Sequence, residues 1–341
     1  MVVKTACVLA LVGVCLVVSS RPRVHMEAVP AVETDAADFD AVCSKARQHL
    51  REGRCNEAMT AVTALEETVR ANVEQAPGRE LSILMIKARA YWHQMDTGGL
   101  ERFLTQFEKD YADTSAAGWV QRAAWYERML AYRFANDLPQ AALAFEKYRE
   151  LEEQAASNQP LTDKRDAAAR DFDLHVKMLA EIGDLYRYMG RTDQALRNYR
   201  SALEYATAHT RTFQALDENP ELLLGSTLSP SKYREEILPT AIRECEAPQG
   251  SLLGILGHQV ACETQQADGL LSIARGCRQR KAFDSARQHY CKAQQALHDR
   301  LGELASLPSA DKARYLAMEE HITKNVSTCH AELVRLSAGG I

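Results

Sequence analysis

From Leu179 to Leu203 the apolar positions follow one helical face, break at a glycine, and then follow a second. Leu179, Ile182-Gly183 and Tyr186 recur at the i, i+3, i+4 spacing of a helix. Gly190 supplies a turn that ends the first helix. Ala195, Tyr199 and Ala202 then resume the same spacing. Gly183 and Ala195 are small, so two antiparallel helices can cross there at close range, with Tyr186 and Tyr199 wedged beside the contact. A bulky residue at Ala195 would overpack the crossing at a cost of roughly 1–3 kcal/mol.

The same template fits elsewhere with gaps. Leu270, Ile273-Ala274, Cys277, Phe283, Ala286, Tyr290 and Ala293 match it near the C-terminus. Trp125, Tyr132, Leu138, Ala141, Phe145 and Tyr148 match it in the middle, with Met129 where glycine is usual. Two fainter copies hold Ala46, Gly53, Ala58, Val62 and Leu65, then Leu84, Ala88, Tyr91, Leu100, Leu104 and Phe107. Alanine, glutamate, arginine and leucine dominate the sequence, whereas β-branched runs and Asn-Gly hairpin turns are scarce. Helix is therefore expected almost everywhere, and the fold class is all-α.

These positions resemble the tetratricopeptide (TPR) repeat: a large apolar residue, Leu-Gly, Tyr, a Gly turn, then Ala, Tyr or Phe, and Ala at fixed offsets. Only the closing proline is missing from the clearest copy, with Thr207 in its place. The resemblance implies an α-α superhelix, a solenoid of helix hairpins. Units starting at Phe39, Leu81, Arg122, Val176 and Ala267 are spaced more widely than the about 34 residues of the family. The expected layout is TPR-like units 1–4 over 39–208, a leucine-rich helical insertion over 209–266, and unit 5 over 267–304. A capping helix over 309–336, started by Ser309, follows. Ser229-Pro230 in the insertion reads as an N-cap with proline at the first helical position, and a further helix is expected from about Thr162-Asp163.

In TPR arrays the first helix of each unit lines a concave groove. Carried over position by position, the resemblance implies a partner-binding face of Arg47, Arg89, Trp92, Tyr126, Arg133, Phe134, Arg187, Tyr188, Arg275 and Arg278. Basic residues outnumber acidic ones there, although the protein has a net charge of −5. Arginine forks take carboxylates in pairs of hydrogen bonds and aromatics add flat apolar contact, so the expected occupant is an acidic peptide or the carboxyl-terminal end of another protein. Cys43 and Arg47 stand where chaperone-binding members of the family have Lys and Asn, so chaperone binding is not transferred. The competing reading is that late-helix arginines merely favour the negative helix end, at about 0.3–1 kcal/mol each.

Before the repeats, Lys4 precedes an apolar run from Ala6 to Val18 and small Ser19 and Ser20. Residues 1–20 read as an export signal peptide or, if uncleaved, an N-terminal anchor and membrane tether. Residues 21–38, acidic and proline-punctuated, read as a flexible tether. The expected location is exported, periplasmic or membrane-tethered facing the periplasm. Of nine cysteines, Cys7 and Cys15 fall in the leader. Cys245 and Cys262 flank a Pro248–Gly250 turn and are the expected disulfide, against the alternative that all are small buried apolar residues.

Catalytic signatures are missing: no His-Glu-x-x-His, no phosphate-cradling loop, no Gly-x-Ser-x-Gly elbow and no Gly-x-Gly-x-x-Gly. No zinc-type cysteine spacing occurs, and no cofactor or metal is expected. The acidic balance argues against nucleic acid. The expected function is a non-catalytic scaffold of the cell envelope holding another envelope protein or peptide. The alternative is a periplasmic small-ligand or lipid-binding TPR protein serving a transporter, with the leucine-rich insertion roofing its cavity.

Overall fold

The computed structural model describes residues 33–71, 78–158, 163–218, 228–248, 250–277 and 280–338. The leader (1–20) and most of the proposed tether lie outside them, as do Leu222, Leu223 and Leu224 of the insertion. The described part of the protein is all-α, and no strand occurs among the described residues.

By contacts the protein forms two units, one built from residues 33–151 with the short stretch 273–279, the other from 152–272 and 280–338. The first unit holds α1 (Glu33–Arg51), α2 (Cys55–Ala71), α3 (Arg79–Gln94), α4 (Thr97–Asp110), α5 (Ala117–Phe134) and most of α6 (Leu138–Asn158). α1 begins inside the stretch read as tether. From α1 to α5 successive helices pack as neighbours, and α1, α3 and α5 also pack on one another in turn. The first helices thus form a layer of their own.

One turn is used four times. Gly53 (φ 76°), Met95 (φ 56°), Asn136 (φ 58°) and Gly190 (φ 71°) are all left-handed. They sit at a constant offset from Phe39, Leu81, Arg122 and Val176. In each turn the left-handed residue's N–H donates three residues back and the next N–H five back: Met95 to Trp92 (2.8 Å) and Asp96 to Tyr91 (3.0 Å), or Gly190 to Arg187 and Arg191 to Tyr186 (both 2.9 Å). Gly53 and Asn136, with the residues after them, bond in the same way. This closure satisfies carbonyls that a helix end leaves without partners. In these four units the hairpin register read from the side-chain pattern is therefore the register of the backbone.

The second unit begins with α7 (Lys164–Phe172), which runs through a wide turn at Asp173–Lys177 into α8 (Met178–Tyr188), and α9 (Thr192–Ala208) returns beside it. The Asp163 carboxylate accepts the Asp166 N–H at 3.2 Å and caps the start. The extra helix expected from Thr162-Asp163 is thus a lengthening of the fourth hairpin's first helix. A Cβ on Gly183 would lie 2.7 Å from the Tyr199 ring, and Ala195 is fully buried. The close crossing of α8 and α9 is as the small residues require.

The insertion departs from expectation. After α10 (Thr210–Glu218) it supplies α11 (Pro230–Lys232), a wide turn at Tyr233–Ile237 and α12 (Leu238–Glu246), which packs along α9 as a further layer. Ser229 caps α11 ahead of Pro230, as anticipated. α13 (Leu252–Ile255), a third wide turn at Leu256–Val260 and α14 (Ala261–Cys277) follow. The boundary drawn at 266 therefore falls inside a helix. α15 (Arg280–His298) buries Phe283, Ala286, Tyr290 and Ala293, and α16 (Ser309–Ala338) packs along it.

Candidate functional site

The face implied by the repeat resemblance divides sharply. In the first unit, Arg47 on α1 donates to the Ser82 hydroxyl of α3 at 3.4 Å and is half-buried. Arg89 and Trp92 lie on α3, and Tyr126 and Arg133 on α5. Arg89 and Tyr126 are half-buried, whereas Trp92 (6% exposed) and Arg133 (9%) are buried. Tyr126 packs on Tyr148 of α6 at 5.5 Å, and the Arg133 guanidinium lies 6.0 Å from the Phe145 ring. Arg47, Arg89 and Tyr126 thus sit on the first helices α1, α3 and α5, each half-buried rather than sealed. The Phe134 side chain and Arg278 lie outside what is described, and Arg275 is exposed.

Arg187 does not belong to such a face. It is 6% exposed, donates to Glu244 of α12 at 2.5 Å and to Asp184 at 2.8 Å, and lies 5.4 Å from the Tyr188 ring. Glu244, 1% exposed, also pairs with Arg314 of α16. The Tyr199 hydroxyl donates to Asp184 at 2.5 Å, and the His258 Nδ1–H donates to the Arg187 carbonyl at 3.1 Å. A Cβ on Gly257 would fall 2.6 Å from that of Glu244. The groove assignment of Arg187 is therefore corrected: it is a structural cation that ties α8 and α12, with Tyr188 half-buried beside it. The positional rule failed because α12, hidden in the insertion, covers that side of α8.

The expected disulfide is not formed. Cys245 is a free, buried thiol, pushed up to about 11 by burial, which outweighs nearby Arg187. The apolar reading of the cysteines fits it. Asn325, in a glycosylation-like Asn-Val-Ser, is buried on α16 beside His321 at 3.1 Å.

Sequence reading missed a buried carboxylate within electrostatic reach of Arg89. Glu127 of α5 is 1% exposed. Burial pushes its carboxyl up to about 7, against the opposing pull of Arg89. His93, one turn on from Arg89, is driven down to about 4 by burial and by the same arginine. The adjacent Arg128 is clamped by Glu101 (3.0 Å) and Glu108 (2.7 Å) of α4. No spacing rule flags Glu127, because burial of a carboxylate between two helices is a tertiary property.

Among the described residues no three His, Cys, Asp or Glu side chains are placed to hold a metal ion, and no helix is long and apolar enough to cross a membrane. In comparisons with known proteins, no family model and no curated protein matches this sequence.

Proposed function

We propose that this protein is a non-catalytic, TPR-like scaffold of the cell envelope that holds a peptide segment of a partner protein on the α1–α3–α5 face of its first unit. The observation that carries the reading is the placement of Arg47, Arg89 and Tyr126 on successive first helices, within reach of solvent. Two arginine forks beside an aromatic suit an extended segment bearing carboxylates. The Ala6–Val18 run supports export of the protein. The reading is narrower than the sequence pattern alone implied, because Arg187 is committed to Glu244 and Asp184.

Fluorescence anisotropy with labelled acidic peptides, bearing free or amidated C-termini, tests the reading. A charged hydrogen bond contributes about 1.5–3 kcal/mol, so the Arg47→Gln/Arg89→Gln double variant should bind at least about tenfold more weakly with unchanged circular dichroism. Equal affinity for the variant would refute the face. The rival with a roofed lipid cavity gains nothing from Leu252 and Leu256, which are buried in the second unit beside α12 and α15.

A further inference from the structure

α15 and α16 pack along each other in opposite directions within the second unit. The Tyr315 hydroxyl donates to the Leu297 carbonyl at 3.4 Å, and the Gln294 amide donates to the Thr323 hydroxyl at 3.3 Å. The start of α15 therefore lies against the end of α16. There the seam between them opens into a groove of about 950 Å³, a size that takes a small ligand or the end of a peptide.

The two walls differ in chemistry. His330, Leu333, Val334 and Ser337 form the α16 wall, at the i, i+3, i+4, i+7 spacing of one helical face. Val334 is 55% exposed, an apolar side chain left in solvent. The α15 wall is charged, with Lys281, Asp284 and Arg287 on successive turns. Both oxygens of Asp284 are taken, one by Arg287 Nη2 at 3.2 Å and the other by the Gln288 amide at 3.0 Å. Asp284 thus steadies the guanidinium and leaves Lys281 uncompensated. Lys281 is exposed and has no ion partner among the described residues.

This combination selects its occupant. The positive surplus beside Arg287 suits a carboxylate. Leu333 and Val334 are the apolar part of the lining, enough to cover one aliphatic side chain and too little for an alkyl chain. Ser337 and His330 flank that strip with hydrogen-bonding groups of the kind a peptide backbone uses. In a polypeptide, only the last residue carries a backbone carboxylate and an aliphatic side chain on the same carbon.

We propose that this groove captures the carboxyl-terminal residue of a polypeptide that ends in an aliphatic side chain. The terminal carboxylate lies on Lys281 and Arg287, and the side chain lies on Leu333 and Val334. The site belongs to the second unit and stands independently of the α1–α3–α5 reading, so either can fail without the other.

Fluorescence anisotropy with an amino-terminally labelled peptide, free of acidic side chains and ending in valine, tests it. The free acid should bind the wild-type protein at least about tenfold tighter than its carboxyl-terminal amide. Lys281→Gln/Arg287→Gln should remove that advantage with unchanged circular dichroism, whereas Arg47→Gln/Arg89→Gln should keep it. Val334→Asp, a change at an exposed position that leaves folding intact, should also weaken the acid by setting a like charge beside it. Equal binding of acid and amide by the wild-type protein, or binding of neither, overturns the proposal whatever the variants do. Unchanged binding by Val334→Asp overturns it too. Loss of the acid's advantage in Arg47→Gln/Arg89→Gln would put the peptide on the first unit and empty this groove of its role. Decanoate displacing the labelled peptide at lower concentration than the unlabelled acid would replace the peptide with an alkyl carboxylate and overturn the assignment.

Discussion

Replacing Glu244 with alanine would leave the Arg187 guanidinium, whose side chain is 7% exposed, held only by Asp184. Arg314, 20% exposed, can turn to water; Arg187 cannot. Removing one partner of a buried ion pair costs about 3–5 kcal/mol, because the remaining charge is still stripped of solvent. With a urea dependence of about 2 kcal/mol per molar, the midpoint should fall by about 1.5–2.5 M. All three tryptophans, Trp92, Trp119 and Trp125, lie in the first unit. Helix-band circular dichroism is thus the assay, and tryptophan emission the internal control for the first unit. The variant Arg187→Met/Glu244→Leu removes both charges and fills their space. It should recover to within about 1 kcal/mol of wild type, since apolar replacement of a whole buried pair is often neutral. A loss below about 1 kcal/mol for Glu244→Ala alone would refute the account of this cluster as a structural tie.

Further outcomes follow from the first unit and the thiols. The unfolded Glu127 carboxyl titrates near its ordinary 4.5 and the folded one near about 7, so wild-type stability should fall as pH rises between those values and level off above. Relative to wild type, Glu127→Gln should be equal near pH 4 and more stable by about 3 kcal/mol near pH 8, measured as a difference so that contributions from His93 and other groups cancel; a pH-independent difference would contradict the burial argument. Asn136 is left-handed and its side chain is exposed. Asn136→Val should therefore cost about 1–2 kcal/mol in thermal unfolding with Asn136→Gly close to wild type, whereas equal stability of the two would show that the turn tolerates other backbone angles. Under alkylation by iodoacetamide the exposed Cys291 should react before Cys245, which is buried and pushed up to about 11; peptide mass mapping with Cys245 modified first would contradict its placement.

The hairpins were legible because their signal is local. Gly183, Ala195 and Tyr199 constrain each other across one turn, and the left-handed residue recurs even where glycine does not, at Met95 and Asn136. The insertion was not legible: α12 follows α9 only after a long proline-broken stretch, and its packing on α9 has no periodic signature. For the candidate site, position within a repeat put Arg47, Arg89 and Tyr126 on the first helices α1, α3 and α5, where each is half-buried. It misplaced Arg187, whose partner Glu244 comes from a distant helix and is shared with Arg314 of another. It passed over Glu127 because a lone glutamate on a helix is ordinarily solvated.

The wide turns at Asp173–Lys177, Tyr233–Ile237 and Leu256–Val260 each fall partway along a helix of the second unit. Such a turn holds one residue more than a regular one, so everything beyond it is rotated by about 100° relative to an unbroken helix. Each interrupted helix therefore shows one neighbour a stripe that begins on one side and shows the next a stripe that begins on another. Deleting a single residue from any of these turns would restore regular winding but set the two halves of that helix out of phase with their separate neighbours. In these three rods the helical phase is reset partway along, and a heptad-style alignment carried straight through would assign the second half of each to the wrong side.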